Sequence, residues 1–189
     1  TRRFNAAGLI ESWHLMNGRA AQKAESVELI VLDVDGVMTD GTLLYGDGET
    51  TEIKSFNIKD GLGIKLLQRY GIEVAIITGR RSSALERRAA ELGIETLFQG
   101  REDKGAVLRE LLDTRQIAPA SVAYMGDDLP DLGAIRLAGL SACPSDAATK
   151  ILESVDWVAP HAGGRGAVRA LADFILGAKG HLSDLHGSY

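Results

Sequence analysis

Two aspartates, Asp33 and Asp35, stand two residues apart in Asp33-Val34-Asp35-Gly36-Val37-Met38-Thr39-Asp40, directly after the apolar run Val27-Glu28-Leu29-Ile30-Val31-Leu32. Carboxylates crowded at the exit of a buried strand repel each other and are costly to desolvate. A divalent cation with oxygen ligands relieves both penalties. Further polar groups follow in order. Glu73-Val74-Ala75-Ile76-Ile77 runs into Thr78-Gly79-Arg80, and Lys104 comes after Gly100-Arg101-Glu102-Asp103. Ser121-Val122-Ala123-Tyr124-Met125 ends in Gly126-Asp127-Asp128-Leu129-Pro130-Asp131. Acids that can attack or hold a metal, a hydroxyl beside a glycine amide, and a lysine suit chemistry on a phosphate ester. A carboxylate nucleophile and a phosphate about 4 Å apart repel by roughly 4 kcal/mol per pair of unit charges at an effective dielectric of about 20. A bridging magnesium ion reverses that sign.

These residues need a frame that brings strand ends together. Strand-like runs lie near Glu28–Leu32, Val74–Ile77, Thr96–Phe98, Val122–Met125, Leu140–Ala142 and Trp157–Ala159. Helical patterns lie between them at Leu62–Tyr70, Ser82–Leu92, Lys104–Arg115, Asp131–Ala138, Ser145–Ser154 and Gly166–Leu176. Such alternation predicts an α/β fold, a central parallel sheet with helices on both faces. Ligands of these sheets sit beyond the carboxyl ends of the strands, where Asp33, Thr78 and Asp127 fall. One segment breaks the pattern: Gly41–Tyr45 and Thr50–Phe56, joined by Gly46-Asp47-Gly48, predict a β-hairpin flap over the site. The organisation reads as an N-terminal helical segment over 1–26 and a domain over 27–178 carrying the hairpin at 41–56. A tail over 163–189 follows, its Gly163-Gly164-Arg165-Gly166 a candidate lid on a neighbouring subunit. In the N-terminal helix (Ala6 to Ala24), Leu9, Ile10, Trp13 and Met16 are expected to pack on the domain or on a neighbour.

The 189 residues are 45% hydrophobic and 25% charged, which fits one globular domain and argues against disorder. A net charge of −5 without a basic run gives no footprint for nucleic acid. Cys143 is the single cysteine, so the chain forms no internal disulfide and a reducing compartment is expected. No apolar run reaches the roughly 18 residues of a membrane span, and a cytoplasmic location is expected.

The four acidic, threonine, lysine and acidic pieces, in this order, resemble the signature of the haloacid dehalogenase superfamily. The resemblance implies a Rossmann-like fold, magnesium, and phosphoryl transfer through an aspartyl-phosphate. It implies Asp33 as nucleophile and Asp35 as general acid, then general base, in surroundings that disfavour its charge. The metal falls to Asp33, Asp127 and the backbone carbonyl of Asp35, with Asp128 and Asp131 orienting Asp127. Thr78 and the Gly79 amide bind phosphoryl oxygens, and Lys104 balances charge. The two places where members of the superfamily carry a cap domain are too short here for one.

Phe56-Asn57-Ile58-Lys59-Asp60-Gly61, Thr78-Gly79-Arg80, Gly126-Asp127-Asp128 and Gly163-Gly164-Arg165-Gly166-Ala167-Val168-Arg169 are similar to the capless sugar-phosphate phosphatases of that superfamily. Within these the likeness is to the family acting on 3-deoxy-D-manno-octulosonate 8-phosphate, a lipopolysaccharide precursor. The resemblance implies a homotetramer with hairpins gathered at its centre. It assigns Asp35, Asn57, Ile58, Lys59, Asp60, Gly61, Lys65, Gly79, Arg80, Arg88, Lys104 and Arg165 to the sugar phosphate. The family carries arginine where this chain has Lys59 and Lys65, and lysine lacks the two-point fork of a guanidinium. Phosphatases of nine-carbon sialic acid 9-phosphates share the framework and stay as an alternative. A phospho-receiver signalling domain also groups acids, a threonine and a lysine around magnesium. Its phosphorylated aspartate, however, lies on a middle strand of the sequence and not on the first.

Overall fold

The computed structural model describes residues 18–47 and 52–182. Strand β1 (Leu29–Leu32) is buried along its whole length, as a continuous apolar run requires when both faces of a sheet are covered. It pairs in parallel with β4 (Glu73–Ile77) on one side and β6 (Val122–Met125) on the other. Outside these lie β5 (Thr96–Phe98) beyond β4, and β7 (Leu140–Cys143) then β8 (Trp157–Val158) beyond β6. The order β5-β4-β1-β6-β7-β8 reverses direction at β1, which opens a crevice at its carboxyl end.

The period of two along each strand sorts the core into two layers. Ile30, Leu32, Val74, Ile76, Ala123 and Met125 face α1 (18–25), α2 (Ile58–Arg69), α3 (Ser83–Leu92) and α7 (Ala167–Ala178). Leu29, Val31, Ala75, Ile77, Val122 and Tyr124 face α4 (Lys104–Arg115), α5 (Leu132–Leu137) and α6 (Thr149–Leu152). Helix α1 is tied down by Lys23, paired with Asp156 at 2.5 Å, and by Lys179 donating to the Glu25 carbonyl at 2.8 Å. Leu9, Ile10, Trp13 and Met16 lie outside the described residues.

Two helices differ from the sequence reading. Helix α2 starts at Ile58, a turn earlier than expected, because the Asn57 side chain accepts from the Lys59 amide at 2.8 Å and caps it. Gly61 and Gly63 mask that turn by lowering helix propensity. Gly63 is there for contact: a Cβ would lie 3.0 Å from Arg169 Cα and 3.1 Å from Ala172 Cβ on α7. Helix α6 is shorter than Ser145–Ser154, because the preceding backbone is bonded elsewhere. Ser145 N–H donates to the His161 carbonyl, and Ala148 N–H to that of Asp127.

The hairpin exists in a smaller form. β2 (Leu44–Tyr45) pairs antiparallel with β3 (Glu52–Ile53), Leu44 opposite Ile53 and Tyr45 opposite Glu52. Residues 48–51 of its turn lie outside the described residues. Between β1 and β4 the described chain holds this hairpin and α2. Between β5 and β6 it holds α4 and a short 3-10 turn, Pro119–Ser121.

The tail differs most. Residues 163–178 belong to this chain's own fold: Gly164 N–H donates to the Val37 carbonyl at 2.9 Å, and α7 is buried in the core. A Cβ on Gly163 would sit 1.8 Å from the Gly36 carbonyl oxygen, so only glycine lets the two loops touch. Truncation from Gly163 would thus remove a core helix as well as a loop. Residues 183–189, the remainder of the expected lid, lie outside the described residues. Gly63→Val should lower unfolding free energy by about 1–3 kcal/mol through overpacking against α7, measured by urea denaturation.

Candidate active site

The carboxyl ends of β4, β1 and β6 deliver Thr78, Asp33 and Asp127 to one crevice. Thr78 N–H donates to the Phe98 carbonyl and Asp33 N–H to that of Met125, so ladder hydrogen bonds carry on through both residues and fix where they point. Lys104 enters from the first turn of α4, capped by Asp103, whose side chain accepts from the Ala106 amide at 3.0 Å. Its Nζ lies 2.8 Å from Asp33 Oδ2 and 2.7 Å from Asp131 Oδ1. Burial works against the charge of Lys104, but Asp33 and Asp131 outweigh it and hold its pKa above the ordinary lysine value.

The acids are poised for a cation. Asp33 is only 5% exposed. Burial, then the charge of Asp131, push its carboxyl up to about 6 against the pull of Lys104. Burial and the charges of Asp33 and Asp131 push Asp127 up to about 7. Carboxyl oxygens of Asp33, Asp127 and Asp131 all approach within 4.8 Å of one another. Asp131 has its acceptors taken. Oδ1 receives Lys104 and the Tyr124 hydroxyl at 2.6 Å, and Oδ2 the amides of Asp127 and Asp128 at 3.0 and 3.1 Å. Asp33 and Asp127 are therefore the carboxylates left to hold a metal, with Asp131 orienting the loop around them. Gly36, at φ +88°, keeps the space beside Asp127 open, since a Cβ would fall 2.1 Å from Asp127 Oδ2. Asp128 acts differently from expectation: it is exposed and its carboxylate caps the short 3-10 turn Leu129–Asp131, accepting from Leu129 N–H at 2.7 Å.

Asp35 departs from its expected surroundings. The ammonium of Lys54, a residue the sequence reading did not single out, forms an ion pair with its Oδ1. Arg80 Nε lies 3.9 Å from its Oδ2. Cations thus compensate its charge where an environment disfavouring charge was expected. Lys54 follows the hairpin pairing and turns inward, its side chain 2% exposed. Glu52 joins it, meeting Lys54 at 3.1 Å and Arg80 Nη2 at 2.6 Å. A lysine among short polar strand residues gave no signal in sequence, and Tyr124 looked like one more core residue.

The residues assigned to the sugar divide. Arg88 reaches the groove beside the hairpin, a cavity of about 510 Å³ lined by Lys54, Phe56, Ser83, Arg87, Arg88 and Glu91. It lies over Gly61, where a Cβ would come 2.3 Å from Arg88 Nη2. Arg80 and the Gly79 backbone are exposed at the end of β4, Lys59 is exposed, and Ile58 is 82% exposed. Arg165 pairs with Asp40 at 3.1 Å on the surface of the acidic loop. Asn57 bridges inward, donating to the Gly164 carbonyl at 3.2 Å. Two of the assigned residues are engaged within this chain's own fold. Asp60 is buried and accepts from Arg169 N–H at 2.8 Å, so it braces the start of α7; burial raises its pKa. Lys65 lies farther along α2, where its Nζ donates to the Leu92 carbonyl at 2.6 Å at the far end of α3. Cys143 is buried at the end of β7, its thiol pushed up to about 12 by burial and by Asp127, which leaves no reactive thiolate.

A parallel sheet ending in an Asp-x-Asp turn, a threonine, a buried lysine and an acidic loop defines the class of haloacid dehalogenase-like hydrolases, and residues 97–171 match that family. The chain is 46% identical over 165 residues to the 3-deoxy-D-manno-octulosonate 8-phosphate phosphatase of Escherichia coli K12, covering 87% of each. A probable phosphatase from Pseudomonas syringae superposes with a TM-score of 0.87 at 46% identity, covering 90% of this chain and 96% of that one. The Moraxella catarrhalis octulosonate 8-phosphate phosphatase, solved with magnesium, phosphate and the sugar acid, gives 0.87 at 40% identity over 89% and 97%. The chain belongs to the family of 3-deoxy-D-manno-octulosonate 8-phosphate phosphatases.

The raised values of Asp33 and Asp127 have a consequence for the metal-free protein. Folded pKa values near 6 and 7 exceed the ordinary 3.8, so the folded state binds protons more tightly, and this stabilisation is lost as pH rises from about 4 through 7. The Tm of the chelator-treated protein should therefore fall between pH 5 and pH 8. Added magnesium should raise Tm more at pH 8, and an equal rise at both pH values would count against the pair as its ligands.

Proposed function

We propose that this chain hydrolyses 3-deoxy-D-manno-octulosonate 8-phosphate to the free sugar acid and phosphate, with magnesium, as a step of lipopolysaccharide biosynthesis. The observation that carries the reaction type is the convergence of Asp33, Asp127 and Lys104 in one crevice, with Lys104 directly on the carboxylate that attacks. The substrate follows from the relatives named above, and the groove beside it supports an acidic sugar. Its volume lies within the range of small-ligand sites, and three cations, Lys54, Arg87 and Arg88, line it against one acid, Glu91.

Asp33 attacks phosphorus, the bond to the sugar oxygen breaks, and an aspartyl-phosphate forms. Lys104 keeps the Asp33 oxygen in place and offsets the charge gathering on the phosphoryl group. Thr78 and the Gly79 amide receive phosphoryl oxygens. Asp35, in its protonated form, gives a proton to the departing alkoxide and, ionised by that step, takes one from the water that hydrolyses the intermediate. Asp33 and Asp127 would hold magnesium, which would neutralise charge between nucleophile and phosphate. Asp35 meets the substrate at the mouth of the groove, where Lys54 and Arg80 set its orientation.

The hairpin supports assembly as a homotetramer. Leu43, Leu44, Tyr45 and Ile53 are exposed, Tyr45 to 71%, which gives one small sheet an apolar surface suited to other copies of itself. In such an assembly the hairpins gather centrally and the groove lies near a subunit boundary.

Phosphate release from the eight-carbon and nine-carbon sugar phosphates, with and without magnesium, tests the substrate; preference for the nine-carbon sialic acid ester overturns it. Asp33→Asn should reduce turnover to background with an unchanged circular dichroism spectrum. Asp35→Asn should lower kcat by about 10²–10⁴-fold. Retained turnover in the first variant would remove Asp33 from the nucleophile's role.

A further inference from the structure

Asp35, Lys54, Glu52 and Arg80 form a ring of alternating charge at the mouth of the site. Lys54 contacts Asp35 and, at 3.1 Å, Glu52; Arg80 contacts Glu52 at 2.6 Å and faces Asp35 at 3.9 Å. Lys104 is already shared between Asp33 and Asp131. Farther out, Arg87 and Arg88 share Glu91. Each of these cations therefore faces an internal carboxylate, although the substrate class is an anion twice over. An internal acid paired with a ligand-facing cation competes with such an anion. Asp33, Asp127 and Asp131 build the reaction centre and Asp35 handles the proton; Glu91 lies farther out, which leaves Glu52 as the acid of the ring without a chemical task.

Glu52 also pairs with a cation that stays open to a ligand. Its partner Arg80 has a side chain 44% exposed, open to an arriving ligand, whereas the Glu52 side chain is 13% exposed on a strand with only two paired residues. A guanidinium fork fits any carboxylate equally well.

We propose that Glu52 is an internal competitor for the anion site. Its carboxylate occupies Arg80 and Lys54 in the free enzyme and gives up Arg80 to the carboxylate of an acidic sugar phosphate. Glu52 thereby weakens retention of the acidic product and sets how strongly the enzyme prefers carboxylated over neutral phosphates. This rests on the phosphatase reading but not on which sugar acid is the substrate.

The test uses the full chain with magnesium and p-nitrophenyl phosphate turnover as the readout. 6-Phosphogluconate, which carries a carboxylate, and glucose 6-phosphate, which carries none, serve as competitors. Glu52→Gln should raise the preference for 6-phosphogluconate over glucose 6-phosphate by about three- to fivefold, the scale of one solvent-accessible ion pair. Glu52→Asp, which keeps the charge, should hold the wild-type ratio. An unchanged or reduced ratio in Glu52→Gln overturns the proposal and makes Glu52 a support for Arg80. The shifted ratio together with no turnover of octulosonate 8-phosphate would uphold the role of Glu52 and reject only the assigned substrate.

Discussion

One lysine among acids organises this site. Asp33, Asp127 and Asp131 lie within ligand distance of one another in a largely buried crevice, an arrangement that charge repulsion and desolvation would otherwise break apart. Lys104 meets two of the three, and the amides of Asp127 and Asp128 with the Tyr124 hydroxyl complete the shell of Asp131. That division leaves Asp33 and Asp127 with raised pKa values and unspent affinity for a cation. The protein keeps the acids together through a fixed internal charge, and so holds the site ready without matching its acidity in full.

The scaffold serves that crowding. Reversal of strand order at β1 puts three strand ends side by side, and glycines remove the atoms that would push the loops apart. Gly36 clears the space next to Asp127, Gly126 lies where a Cβ would fall 2.3 Å from Asp131 Cγ, and Gly163 lets a distant turn rest on the acidic loop. Asp60 and Asn57, both from the start of α2, fasten the beginning of α7 and the turn before it. The substrate motif of the sequence thus contains residues that hold the walls as well as residues that face the groove.

Much of this was legible in the sequence, for physical reasons that differ by element. The parallel sheet showed itself because buried strands are written as uninterrupted apolar runs, and Asp33, Thr78 and Asp127 because polar groups at such exits lack a structural excuse. Lys104 was found only through its place in an ordered series. What escaped depends on long-range packing. Glu52 opens a strand of two residues and Lys54 lies just after it, with no core face on either, so no periodicity marks them as part of the site. Asp60 fell within a motif of the right composition and Lys65 about one turn beyond it, but their directions are set by the packing of α2 on α7 and α3. The glycine-rich turn reads as a mobile lid by composition; its real constraint, close approach to Gly36, requires knowing its neighbour.

The seat of Gly163 and Gly164 on the loop that carries Asp33 and Asp35 bears on how the protein is made. During synthesis β1 leaves the ribosome early, while the turn that backs its acidic loop is translated much later, after β8. A nascent chain lacks the contacts of Gly163 and Gly164 with that loop before then, however early the nucleophile emerges. Competence to cleave phosphate esters consequently arrives late, with the segment that also closes the hydrophobic layer under α7.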